Sequence, residues 1–301
     1  MKSVISFLQK NGIRYRLDCC ISELSTFKVG GPVDLVLYPQ TAEQCKLIIL
    51  LAKEKNKELF FLGNGSNILG SDKGCSAWIL KTDDLNRLEL GENGLITVGA
   101  GVKGVKLSSF AAKNGLTGAE FMHGIPGSVG GFVFMNAGAY GGSMDQIVVE
   151  TTYMDSFGEI HLLQFENHQF GYRNSFFLHH PELLILETKI KLVRGDVDEI
   201  HALINELQSR RKEKQPLEYP SAGSTFKRPE GFFAGKLIED AGLKGYKVGG
   251  AQVSEKHAGF IINTGNATGS DVRSLICYVQ RVVKEKFGVD LKCEVRYLGE
   301  E

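Results

Sequence analysis

The chain has 301 residues, 43% hydrophobic and 23% charged, with 35 Lys+Arg against 35 Asp+Glu. That length outgrows a single core and implies two domains, and the charge balance gives no electrostatic reason to expect nucleic acid or an anionic membrane as partner. No stretch approaches the roughly eighteen apolar residues of a spanning helix.

The N-terminal run "MKSVISFLQKNGIRYR" places Val4, Ile5, Phe7 and Leu8 before Lys10; it is too short for a signal-peptide core and reads as an amphipathic helix. "DLVLYP" (34–39) reads as a strand. "TAEQCKLIILLAKEKN" (41–56) opens on Thr41 with Gln44 three positions on, a capping-box pattern before an apolar run, and predicts a helix. "ELFFLGNGSN" (58–67) predicts a strand running into a glycine turn. "LITVGAGVKG" (95–104) predicts a strand, followed by a helix to about Asn114. From Ile147 to Val193 alternating residues predict strands with no helix, the first two joined by a turn at Asp155-Ser156-Phe157-Gly158. At Gly195 the texture turns helical, with Ile200, Leu203, Ile204 and Leu207 on one face and Pro216 ending the pattern. A second amphipathic helix covers 270–288, with Gly288 as a left-handed cap.

These patterns give an α/β or α+β first domain over 1–194 and a second domain over 195–301. The six cysteines (Cys19, Cys20, Cys45, Cys75, Cys277, Cys293) lack CxxC spacing and read as reduced thiols of a cytoplasmic protein, each suited to a small core position. His179 and His180 lack a third ligand at metal spacing, and no metal is expected.

Three glycine-rich turns stand out: "LGNGSN" (62–67), "GAGVKG" (99–104) and "HGIPGSVGG" (123–131). Glycine removes the Cβ that keeps backbone N–H groups off a ligand, and consecutive N–H groups make anion-binding nests suited to a phosphate. A single such loop is more readily read as a tight turn; two Gly-Ser loops together point to a pyrophosphate. "GAGVKG" matches the dinucleotide pattern GxGxxG after a strand and before a helix. The second hydrophobic strand ending in an acid that a Rossmann unit requires is missing, since "GLTGAEFMHGIPG" offers glycines and Glu120.

Together "LGNGSN", "GIPGSVGG", "NAGAYGG" (136–142), "YRNSFF" (172–177), "SAGSTFKRP" (221–229) and "EVR" (294–296) resemble, in order and from about Leu24 to Arg296, the UDP-N-acetylenolpyruvoylglucosamine reductase family. The resemblance implies an α+β protein with a PCMH-type FAD-binding domain of two α/β subdomains dividing near residue 82, a C-terminal α+β substrate domain, and NADPH-driven reduction of UDP-N-acetylglucosamine enolpyruvate to UDP-N-acetylmuramate for peptidoglycan. It implies that Gly63, Asn64, Gly65, Ser66 and Asn67, with Ile125, Pro126, Gly127, Ser128, Gly130 and Gly131, hold non-covalent FAD, and that Gly138 lies close to it. Backbone at contact distance suits a planar flavin and a doubly charged pyrophosphate.

By the same resemblance Ser224 matches the family's proton donor, Glu294 its essential acid, and Arg173 the arginine near flavin and substrate, where a fixed cation suits developing negative charge. Read alone, Ser224 is a turn cap, Glu294 a strand carboxylate paired to Lys292 or Arg296, and Arg173 a surface ion pair. Arg210, Arg211 and Lys214 are cations at a helix end or contacts for the substrate's phosphates or carboxylate; Arg228 and Arg296 join them as substrate-binding candidates. "LETKIKLVRGDVDEI" leaves no room for the extra tyrosine-bearing loop of one type in this family, so the chain resembles the loop-less type. Arg228 stands where the loop-bearing type has asparagine and Gly131 where it has serine. His123, just before the flavin loop, is assigned packing or backbone bonding instead of a covalent flavin tether. The resemblance leaves two other readings open, an FAD oxidase of related fold and a non-catalytic UDP-sugar or flavin-binding module. It also implies a monomer with no obligate protein partner.

Overall fold

The computed structural model describes residues 1–299. The chain forms two compact units: one of 1–17, 35–64 and 77–210, the other of 18–34, 65–76 and 211–301. The sequence-based boundary after residue 194 is contiguous; the compact units interleave, and the helix Val197–Lys214 carries the chain from one to the other.

The first unit has two larger sheets besides two short strand pairs. One runs in the order Arg14–Arg16, Val36–Tyr38, Trp78–Lys81, Leu59–Leu62, its first pair antiparallel and the rest parallel. The helix Ala42–Glu54 makes the crossover between Val36–Tyr38 and Leu59–Leu62. Thr41 Oγ1 accepts from Gln44 N at 3.2 Å, as its spacing predicts, but the Gln44 side chain turns back to Gln40 N at 2.8 Å instead of to Thr41 N. The N-terminal helix Lys2–Lys10 adds Val4 and Leu8 to this core beside Ile48, Leu80 and Trp78.

The other sheet is antiparallel throughout, in the order Ile160–Gln164, Val148–Met154, Leu184–Lys191, Leu95–Gly99, Leu88–Leu90. Its core takes in Ile96, Val98, Leu107, Val129, Phe132 and Phe177. The turn after Met154 is held by Asp155 Oδ1, which accepts from Phe157 N and Glu159 N. One α-helix that the alternation hides interrupts 147–193, besides the 3-10 turn Phe165–Asn167: Phe176–His179, a single turn capped by Ser175 Oγ accepting from Leu178 N. Four residues are too few to show a 3.6 period.

The antiparallel setting of Leu95–Gly99 excludes a Rossmann unit at "GAGVKG", because that motif needs a parallel strand pair. Its glycines serve packing instead: a Cβ at Gly99 or Gly101 would lie 2.3 Å from the Leu85 carbonyl oxygen or 1.9 Å from that of Thr82.

In the second unit the antiparallel sheet Ser221–Ser224, Phe260–Asn263, Ala251–Val253, Lys247–Val248 supports the helices Ala234–Asp240 and Gly269–Phe287. The longer helix buries Val272, Leu275, Ile276, Val279 and Val283 and ends on Gly288 at φ +70°, the expected left-handed cap. The strand Ile68–Gly70 pairs in parallel with Arg296–Leu298. All six cysteines are free thiols; Cys19 and Cys45 are buried and Cys277 is exposed, so not all are core residues.

Candidate active site

In the first unit Gly63 lies against Ser128 of the Ile125–Gly131 loop. The Ile125–Gly131 loop is fixed by Gly104 N donating to the Gly127 carbonyl at 3.0 Å, Val129 N to Val102 at 2.8 Å and Gly130 N to Ala100 at 2.9 Å. Ser128 then opens the helix Val129–Met135, yet its hydroxyl makes no cap bond. A Cβ on Gly63 would sit 2.2 Å from Ser128 Oγ and 3.9 Å from Thr82 Oγ1. Both hydroxyl oxygens are buried and hydrogen-bond to nothing in the protein. A buried, unpaired hydroxyl costs about 1–3 kcal/mol, so two beside one glycine mark a place where an acceptor-rich group belongs. A pyrophosphate fits that donor set.

The Gly63 carbonyl accepts from Lys81 Nζ, which also lies 3.2 Å from Asp83. Burial pushes the Lys81 ammonium below its usual range, and the Asp83 carboxylate works against that shift. Lys81 and Thr82 were not legible as site residues. The backbone of Asn64 continues the loop to the edge of this unit.

Gly138 pairs with Ser143 in a hairpin where a Cβ would fall 2.6 Å from the Gly142 carbonyl oxygen. Its own carbonyl accepts from Arg173 Nη2 at 3.3 Å. Arg173 lies in the tight turn closed by Gly171 and Asn174 and holds φ +52°. A non-glycine residue in that region is uncommon and costs about 1 kcal/mol or more, a cost that clusters at functional positions. His123 is half-buried, its Nδ1 accepts or donates no hydrogen bond, and desolvation and then His201 lower its pKa; of the two roles expected for it, packing or backbone bonding, Nδ1 makes no backbone bond.

In the second unit Gly65 stands at φ +66°, and a Cβ there would be 2.0 Å from the Leu24 carbonyl oxygen, so glycine is required on both counts. Ser66 follows it, and the Asn67 side chain donates to the Glu294 carbonyl at 3.1 Å while Arg296 N donates to the Asn67 carbonyl at 3.0 Å. Asn67 thus ties its loop to the Glu294 segment. Glu294 N in turn donates to the Thr225 carbonyl at 2.8 Å, which sets half-buried Glu294 beside the strand carrying Ser224. Ser224 is exposed at the end of a one-residue bulge between the pairs Ser221–Ile262 and Ser224–Phe260, with Gly223 at φ +77°. Bulges re-aim side chains, and this one turns out a serine.

The basic candidates separate. Arg210 is spent on Glu206 at 2.5 Å within its helix, Arg211 is half-buried, and Lys214 is exposed. Arg228 donates through Nε to the Phe232 carbonyl at 3.3 Å and lies 3.9 Å over the Phe233 ring. Burial lowers the pKa of Arg296.

A family model described as the FAD binding domain matches residues 33–164, and one described as the C-terminal domain of UDP-N-acetylenolpyruvoylglucosamine reductase matches 215–298. The UDP-N-acetylenolpyruvoylglucosamine reductase of Clostridium beijerinckii is 49% identical over 287 residues, 95% of this chain and 93% of that one. That of Clostridium novyi is 46% identical over 300 residues, covering 100% and 96%. The crystal structure of the Thermus caldophilus enzyme superposes with a TM-score of 0.79 at 33% identity, over 95% of this chain and 98% of that one. The fold is therefore a PCMH-type FAD-binding domain joined to the reductase C-terminal domain, α+β overall. With identity of this order along nearly its whole length, the chain belongs to the UDP-N-acetylenolpyruvoylglucosamine reductase family.

Proposed function

We propose that this protein reduces UDP-N-acetylglucosamine enolpyruvate to UDP-N-acetylmuramate with NADPH through bound FAD, a step of peptidoglycan precursor synthesis. The observation that carries the cofactor reading is the pair of unpaired buried hydroxyls, Ser128 Oγ and Thr82 Oγ1, beside the Gly63 backbone. Gly63–Asn67 and Ile125–Gly131 would hold FAD non-covalently, and the bound flavin would supply hydride chemistry between NADPH and the enolpyruvyl methylene carbon.

Arg173 meets the negative charge that develops at the enol oxygen and carboxylate. Ser224 gives the proton to the adjacent carbon. A serine is a poor acid toward water, but the carbon acid it generates is weaker still, so the transfer runs downhill when the hydroxyl is aimed. Glu294, whose backbone N–H donates to the Thr225 carbonyl next to Ser224, is the second acid of the pair. The FAD-binding role falls to 1–194, dividing near 82, and the substrate role to 195–301. There Arg228, Arg296, Arg211 and Lys214 are the contacts for the diphosphate, with Arg210, paired to Glu206 within its helix, the weakest of the group. The two-residue step from the strand Leu184–Lys191 through Val193–Arg194 to the helix at Val197 supports the loop-less type. Free thiols throughout suit a reducing cytoplasm, where the protein acts as a monomer.

The test is to follow NADPH consumption by the yellow holoprotein. Turnover should require UDP-N-acetylglucosamine enolpyruvate, and acid precipitation should release the colour. Substrate-independent turnover with oxygen, or a protein that cannot take up FAD, would overturn the reading.

A further inference from the structure

We propose that Asn136 is a positioning residue for Arg173: its side-chain amide holds the Gly171–Asn174 turn so that the guanidinium stays at the Gly138 carbonyl. Asn136 is 4% exposed and sits at φ +42°, the left-handed end of the helix Val129–Met135. Its Nδ2 donates to the Gly171 carbonyl at 3.0 Å and its Oδ1 accepts from Asp145 N at 3.0 Å. One side chain therefore grips the turn that bears Arg173 and the segment that follows the Gly138–Ser143 hairpin. Arg173 Nη2 closes the ring on Gly138, two residues beyond Asn136. On the other side of the turn Ser175 Oγ donates to the Phe134 carbonyl at 2.7 Å, a second strap to the same helix end.

Asparagine is common at left-handed helix ends for conformational reasons alone. The two roles come apart in Asn136→Gly, which keeps the left-handed conformation at no steric cost and deletes both side-chain bonds. Asn136→Asp also tolerates that conformation and keeps the acceptor for Asp145, replacing only the donor to Gly171; it carries the test if the glycine variant folds poorly.

The inference rests on the reading of Arg173 as the cation facing charge in the substrate, and two readouts keep the two apart. Trypsin cleavage after Arg173 in the holoprotein, followed by mass spectrometry, reports how firmly the turn is held irrespective of catalysis. Both variants should be cut there several-fold faster than wild type, with other sites unchanged. In stopped-flow, flavin reoxidation by the enolpyruvyl substrate should slow on the order of tenfold, since small misplacements of a charged group are costly. Reduction by NADPH should hold its rate, and Asn136→Gly should add nothing in an Arg173→Ala background. Wild-type cleavage after Arg173 in both variants would overturn the proposal. So would slower reoxidation that persists undiminished in the Arg173→Ala background. If Arg173→Ala itself reoxidises normally, the catalytic reading of Arg173 fails, and the cleavage result alone decides whether Asn136 holds the turn.

Discussion

Around Gly63 the first unit offers backbone and two small hydroxyls, whereas at the end of the Ser221–Ser224 strand the second offers a lone side chain turned out by a bulge. The first arrangement is a shape: it is defined by where side chains are missing, and it suits a large ligand bound by many weak donors. The second is a point, in which one hydroxyl at a strand end and one carboxylate in the segment before the strand Arg296–Leu298 are fixed by the Glu294–Thr225 backbone bond. Changes to the shape should therefore move binding, and changes to the point should move a single chemical step.

The largest expected effect tests the point. Ser224→Ala should slow reoxidation of the flavin by the enolpyruvyl substrate on the order of a hundredfold or more, the usual range for a positioned general acid. FAD binding and reduction by NADPH should be nearly unchanged, which stopped-flow absorbance separates. Wild-type reoxidation with product still formed would move the proton donor elsewhere, with Glu294 next in line. Loss of FAD instead would break the contrast between the two units.

Gly63→Ala tests the shape. A methyl group 2.2 Å from Ser128 Oγ forces that hydroxyl aside, and FAD affinity should fall about 10- to 100-fold, the worth of one or two charge-assisted hydrogen bonds. Adding Ser128→Ala restores space, so the double variant should bind FAD no worse than Ser128→Ala alone. Fluorescence titration of the apoprotein checks both; a double variant weaker than either single change would mean the backbone itself had moved.

What the sequence disclosed follows the same division. The glycine loops were legible because absent side chains are written in the letters, and long amphipathic helices such as Gly269–Phe287 carry enough periods to be counted. Lys81 and Thr82 were not, because nothing in "WILKTDD" announces that the end of a strand comes back to Gly63. Asn136 was hidden within a turn-like run where asparagine needs no special reason. "GAGVKG" matches the dinucleotide pattern in spelling alone: its glycines admit the carbonyls of Thr82 and Leu85, contacts that no local pattern records. The residues 18–34 and 65–76 join the second unit through pairings such as Ile68–Arg296, more than two hundred residues apart in sequence. Ser224 and Glu294 were assigned only by resemblance, since a serine in a turn and a glutamate near a strand are ordinary.

A smaller effect concerns acid. His168 is fully buried between Thr151 Oγ1 at 2.8 Å and the Gln164 carbonyl at 3.0 Å, and desolvation holds its pKa below the usual value. As pH falls below about 6.5 the unfolded chain takes a proton that the folded one refuses. Stability is thus fully present above that pH and declines below it, by up to about 1.4 kcal/mol per pH unit for each such proton, until the folded-state pKa is passed. His123, also in the first unit, and His257, in the second, are shifted the same way by burial. Urea midpoints should drop between about pH 7.5 and 5.5, and His168→Gln should lessen the drop. An unchanged drop would assign the acid sensitivity to other groups.

The smallest effect gives the sharpest view of the shape. Gly131 lies in the first turn of the helix Val129–Met135, where a Cβ would find only Ser128 Oγ within reach, at 3.7 Å. Its φ is not left-handed, so Gly131→Ala meets no strain in the protein and should stabilise the apoprotein by roughly 0.5–1 kcal/mol through helix propensity and a less flexible unfolded chain. If the flavin lies against this backbone, the same methyl group weakens FAD binding a few-fold. The two signs are opposite, and no loss of folding can imitate that combination. A more stable apoprotein that binds FAD as wild type does would take Gly131 out of the cofactor's contact surface and confine the cradle to Gly63, Thr82 and Ser128.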